Sequence, residues 1–105
     1  MVDYAYENTR NDAVAVGTSS VIVSKSRTQE ANQDRKTILL RNISTNVLDI
    51  ITINFGSQQA TSGTGIVLKV GESTFDTTDT GYRSYQGTIT AVCDTANGNL
   101  AVFER

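Results

Sequence analysis

The 105-residue chain has no histidine, no proline and no tryptophan, and only one cysteine, Cys93. Without histidine there is no His-based catalytic triad, no imidazole metal ligand and no imidazole switch near neutral pH. A single cysteine excludes an intrachain disulfide and a cysteine zinc cluster. A small secreted domain held by disulfide staples is excluded with them. Average usage would supply about five prolines, and nothing in the sequence accounts for their absence. Lys plus Arg number 9 and Asp plus Glu 11, giving a net charge of −2. The charges are scattered, whereas nucleic-acid binding needs a basic face to displace counterions, so no nucleic-acid partner is expected. No apolar run approaches the ~20 residues of a membrane span, and no membrane partner is expected. Residues 1–10 lack the apolar core of a signal peptide, which predicts synthesis in the cytoplasm.

What is present is β-branched. The chain holds 10 Val, 8 Ile and 15 Thr against 5 Leu and 8 Ala. Stiff β-branched side chains suit a pleated surface better than a helix, and eight glycines supply turns. The composition predicts an all-β fold.

Residues 1–12 (MVDYAYENTRND) are polar with no sustained period and read as an N-terminal arm. If that arm is extended, Tyr4 and Tyr6 fall on one side and can dock on a partner. Residues 13–105 read as one domain of about eight short strands, at the count and spacing of a sandwich, jelly roll or barrel, with a β-sandwich of jelly-roll type expected. The expected strands are Ala13–Val16, Val21–Ser24, Lys36–Asn42, Val47–Phe55, Ile66–Val70, Ser73–Phe75, Tyr85–Asp94 and Leu100–Glu104. Ile38 and Leu40 face the core, with Thr37, Leu39 and Arg41 opposite. Val47, Ile51, Ile53 and Phe55 share one face of their strand, leaving Leu48 and Ile50 as an apolar patch on the other. Ile66, Leu68 and Val70 point inward. Asn97-Gly98 is a strong hairpin signal. The segment Gly56–Gly65 (GSQQATSGTG) reads as a flexible polar loop.

The chemistry-bearing residues are few. Asp76 and Asp79 share a loop, but a calcium site needs more oxygen ligands at tighter spacing; a solvated turn is the simpler reading. Cys93 lies on the inward side of its strand, and with no histidine to act as base it reads as a buried, inert thiol. Asn42-Ile43-Ser44 matches the glycosylation triplet, which arises often by chance. Gly56, Gly63 and Gly65 precede no lysine at phosphate-loop spacing. Arg27, Arg35, Lys36 and Arg41 form a mild basic stretch, offset by Glu30 and Asp34, that reads as a solvated face. Tyr82 and Tyr85 flank Arg83 beside a loop, an arrangement that suits a glycan contact and equally suits a core cap or subunit contact. No metal, cofactor or catalytic residue is expected.

The run Arg35-Lys-Thr-Ile-Leu-Leu-Arg-Asn-Ile-Ser44 resembles a β-rich domain of small structural proteins of tailed bacteriophages. The resemblance continues through Ile53-Asn-Phe-Gly56, Gly65-Ile-Val-Leu-Lys-Val-Gly-Glu-Ser73, Tyr85-Gln-Gly-Thr-Ile-Thr-Ala-Val92 and Leu100-Ala-Val-Phe-Glu104. Val16-Gly-Thr-Ser-Ser20 also fits, so it spans roughly residues 14–105. One departure is Val70-Gly71, where the pattern has Pro-Gly. The resemblance implies a non-enzymatic virion protein at the capsid surface: a decoration (cement) protein bound to the major capsid protein as a homo-oligomer, with a trimer favoured. An alternative role is a head-fibre, vertex-spike or tail-fibre module that binds host glycans. For the first role the contact candidates are Tyr4, Tyr6, Arg10, Leu39, Leu48 and Ile50. For the second they are Tyr82, Arg83 and Tyr85.

Overall fold

A computed structural model describes residues 10–25, 35–77 and 85–105. It contains eight strands and, among the described residues, no helix. They are β1 (Arg10–Val16), β2 (Val21–Ser24), β3 (Thr37–Asn42), β4 (Ile51–Phe55), β5 (Ile66–Leu68), β6 (Ser73–Thr77), β7 (Ile89–Cys93) and β8 (Gly98–Glu104). Every expected strand is present, though most boundaries move.

The strands form two antiparallel four-stranded sheets, ordered β1-β8-β3-β6 and β2-β7-β4-β5. Four of the pairings are β1 with β8, β2 with β7, β3 with β6 and β4 with β5. In each of these the two strand numbers sum to nine, as though one long hairpin had been rolled into two layers. This arrangement is a small β-sandwich and is compatible with the expected jelly roll.

The core lies between the layers. Val16, Ile38, Leu40, Leu100 and Val102 come from the first sheet, and Val23, Ile51, Ile53, Leu68, Ile89, Ala91 and Cys93 from the second. Strict alternation along β3 and β8 delivers the first set, because successive side chains point to opposite faces of a sheet. Cys93 is 2 % exposed and free, as its inward position predicts.

Three expectations need correction. The strand expected over Val47–Phe55 starts only at Ile51. Residues 46–49 turn instead, with Asp49 N donating to the Asn46 carbonyl at 2.9 Å. The Asn46 side chain accepts from Leu48 N at 2.9 Å, so the backbone bonds that would extend β4 are spent locally. Val47 therefore sits 79 % exposed, not in the core. Ile66 and Val70 are also exposed, and only Leu68 of that trio is buried. β5 ends there because Gly71, at φ +87°, turns the chain. Finally, Asn97-Gly98 does not close a hairpin. β7 and β8 belong to different sheets, and the link between them crosses the sandwich. Gly98 is already in β8, where a Cβ would lie 2.5 Å from the Val16 carbonyl oxygen and 2.7 Å from Cys93 Sγ. Glycine is required there for close packing, not for a turn.

Candidate functional site

The two sheets treat their outer faces differently. On the second sheet the segment 56–65 folds back over the strands. Gln58 O accepts from Thr90 Oγ1 at 2.9 Å and from Asn54 Nδ2 at 3.1 Å. Ala60 N donates to Ser20 Oγ at 2.9 Å, and Gly63 N to Thr52 Oγ1 at 3.1 Å. Ser62 Oγ donates to Asp94. The loop expected to be flexible is thus fastened along its length, and it buries Thr52, Thr90 and Val92 on what would be a solvent face.

The first sheet has no such cover among the described residues. Leu39 is directly opposite Phe75 on β6 and Phe103 on β8, and Phe103 is opposite Asn11 on β1. Directly opposed residues project to the same face. Leu39, Phe75 and Phe103 therefore form one apolar row across three neighbouring strands, with Phe75 65 % exposed. Beside the row runs a shallow groove of about 230 Å³, lined by Asn11, Asp12, Leu39, Arg41, Ala101, Val102 and Phe103. Outward positions on the four strands carry no carboxylate. Asp12, at the rim, is paired with Arg10 at 3.1 Å. Arg41 is exposed and forms no ion pair among the described residues.

A second apolar group sits at one end of the sandwich, where residues 43–50 and 69–72 meet. Gly71 N donates to Asn42 O at 2.8 Å and Asn42 N to Glu72 O at 3.0 Å, which holds the two loops together. Ile43, Val47, Leu48 and Val70 are exposed there. Leu39 and Leu48, expected to share in partner contacts, thus lie on different surfaces, and Ile50 is half-buried between strand and turn.

Polar side chains inside the sandwich hold these surfaces in place. Arg35 is 2 % exposed and not a solvated cation. Its Nε donates to Glu104 Oε2 at 3.0 Å, its Nη2 to Ser24 Oγ at 2.6 Å and its Nη1 to the Tyr85 carbonyl at 2.6 Å. Ser24 Oγ donates to the same Glu104 oxygen at 2.8 Å. Arg10 Nη1 donates to Glu104 Oε1 at 2.7 Å and to the Val23 carbonyl at 2.9 Å. Burial alone would lower the Arg10 pKa, but its hydrogen bonds to Glu104 and Asp12 raise it further, so the guanidinium lies above its ordinary value. That is the sign of a group whose stabilising charge persists at every pH below its unfolded pKa. Arg10, expected in the arm, is the first residue of β1 and part of this interior network.

At the opposite end Asn42 is fully buried. Its Nδ2 donates to the Asp49 and Leu68 carbonyls at 2.7 and 2.9 Å, and its Oδ1 accepts from Ser44 N at 3.0 Å. A residue so enclosed cannot carry a glycan in the folded protein. Tyr85 packs its ring against Phe55, with centroids 5.4 Å apart, and donates its hydroxyl to the Thr88 carbonyl at 2.9 Å. It caps the core. Tyr4, Tyr6, Tyr82, Arg83 and Asp79 lie outside the described residues. Asp76 accepts from Tyr85 N at 2.6 Å. Among the described residues no group of three His, Cys, Asp or Glu side chains is placed to hold a metal ion.

Sequence reasoning found Leu39 but missed its partners in the row, Phe75 and Phe103. It also missed the Arg35–Glu104 pair. The signal for Glu104 was present, since it continues the inward alternation Gly98, Leu100, Val102 along β8. No family model matches the chain, and no curated protein or solved structure matches it.

Proposed function

We propose that this chain is a non-enzymatic structural protein of a tailed-phage virion, which decorates the outer capsid surface as an oligomer and stabilises the shell. The resemblance over residues 14–105 suggests the class. The observation that supports docking is the row Leu39–Phe75–Phe103, uncovered among the described residues, on a sheet whose counterpart has Thr52, Thr90 and Val92 buried under its own loop, with Ile22 and Val67 exposed on its edge strands. An apolar patch that the described residues leave bare marks a candidate interaction surface. Each contact would be weak alone. On an assembled lattice several become effectively intramolecular, which favours the finished shell over free capsid subunits.

The test is co-sedimentation of the purified protein with heads of the encoding phage that have been stripped of it. Fixed, saturable occupancy and raised thermal stability of the heads would support the reading. Protein that stays at the top of the gradient, together with specific hits on a glycan array, would replace it with the host-binding role.

A further inference from the structure

Asn97 stands directly before Gly98, and of the eight asparagines in the chain it alone precedes a glycine. The pair closes no hairpin, so the usual structural reason for it is absent. No described residue other than glycine has a positive φ, so the backbone at 97 sets no demand that favours asparagine. The Asn97 side chain is exposed and forms no hydrogen bond among the described residues. Its backbone N–H donates to Thr95 Oγ1 at 3.2 Å. Close packing requires the glycine; no contact among the described residues requires the asparagine.

An asparagine before a glycine is chemically labile, because glycine has no side chain to shield its nitrogen from the neighbouring amide carbon. The other asparagines precede Thr, Asp, Gln, Ile, Val, Phe or Leu. The Gly98 nitrogen attacks Asn97 Cγ, the bond from Cγ to Nδ2 breaks, and the proton from the Gly98 nitrogen leaves with Nδ2 as ammonia. Water then opens the cyclic imide. Opening at Cγ gives aspartate. Opening at the main-chain carbonyl gives isoaspartate, which places an extra methylene in the backbone.

The fold controls access to that nitrogen. Arg105 exchanges both backbone hydrogen bonds with Thr37 at 3.0 Å each, and Asn99 O accepts from Ile43 N at 3.0 Å. Odd-numbered residues at this end of the chain thus turn their backbone groups toward β3. Successive residues of an antiparallel strand alternate in this respect, so the even-numbered residues of β8 turn theirs toward β1. Gly98 is one of them, opposite Val16 in the last pair of that ladder. Attack therefore needs only the end pair to open, not the sandwich to unfold. Gly98 also has no slack, since a Cβ there would lie 2.5 Å from the Val16 carbonyl oxygen and 2.7 Å from Cys93 Sγ. A methylene inserted just before it displaces it from this packing.

We propose that Asn97 is a site of spontaneous deamidation in the folded protein, gated by the Val16–Gly98 pair, and that its isoaspartyl product loosens the core beside Cys93.

Ageing the purified protein at physiological temperature, at neutral and mildly alkaline pH, tests this. Isoelectric focusing follows the added negative charge, peptide mass spectrometry places it, and enzymatic isoaspartyl methylation separates the two products. An acidic form is expected to accumulate through Asn97 while the other asparagines keep their amides. Its rate should be several-fold below that of the chain unfolded in urea and should rise with pH. Aged protein should react with a thiol reagent at Cys93 several-fold faster than fresh protein. Asn97→Ser removes the amide at an exposed, unbonded position and is expected to age without either change; Asn97→Gln serves should that variant fail to fold. Freshly prepared Asn97→Asp carries the charge without the methylene and should label like fresh wild type. A native chain that keeps the Asn97 amide while the unfolded chain loses it overturns the proposal. So does modification spread evenly over the asparagines, or an aged protein whose Cys93 labels no faster than before.

Discussion

Arg35 and Glu104 lie 69 positions apart in the sequence and meet in the interior, Nε 3.0 Å from Oε2, with neither side chain more than 2 % exposed. The carboxylate also receives Arg10 and Ser24, so β1, β2 and β8 converge on one charged residue. Removing one partner of a buried pair strands the other's charge and typically costs about 3–5 kcal/mol. We expect Arg35→Met to destabilise by that order in urea unfolding. We expect the double replacement Arg35→Met with Glu104→Leu to cost less than Arg35→Met alone, because the buried carboxylate goes too and Arg10, part-exposed, keeps Asp12.

Asn42 anchors the opposite end. Asn42→Ala removes both donors to the Asp49 and Leu68 carbonyls. Stranded polar groups cost about 1–3 kcal/mol. The expected result is a lower unfolding midpoint, with faster amide exchange concentrated in residues 43–50 and 68–72. Exchange that rises uniformly across the chain would contradict this local role.

Gly98→Ala tests close packing at the sheet crossing. The added methyl would press on the Val16 carbonyl and the Cys93 side chain, and overpacking of this kind costs about 1–3 kcal/mol. Gly63→Ala makes a useful contrast. Gly63 has open space around it but a φ of +79°, so its cost comes from the backbone and should leave the packing around Cys93 unchanged.

Cys93 reports opening of the core. Because the thiol is buried, labelling by a thiol reagent should be slow in the native protein and complete in denaturant. The native rate should rise in Gly98→Ala and Arg35→Met in proportion to their loss of stability. Fast labelling of the wild type would show that the core around β7 opens locally.

The layout of the strands was legible in the sequence because half-covered sheets impose a period of two, and β3 and β8 keep it strictly. Leu39 could be placed outward for that reason alone. Where local hydrogen bonds compete with the ladder the period misleads. Asn46 and Asp49 turn residues 46–49, and Val47 leaves the core as a result. The fate of segment 56–65 was hidden by its composition, since a polar loop looks the same whether it meets water or the hydroxyls of Thr52 and Thr90. Arg35 was unreadable for a related reason. A buried cation makes sense only once its carboxylate is known, and that carboxylate lies near the far end of the chain.

The rolled-hairpin pairing has a consequence during synthesis. β1 lies against β8 along its whole length, from Arg10 opposite Glu104 to Val16 opposite Gly98. Of these eight strands, β1 is made first and its only neighbour among the described residues, β8, is made last. β3 can pair with β6 before then, but only β8 joins that pair to β1. Pairings so distant in sequence form slowly, and among the described residues β4 with β5 is the only partnership between consecutive strands. A nascent chain halted before Gly98 would hold one complete sheet, a lone β3–β6 pair opposite it and β1 without a partner.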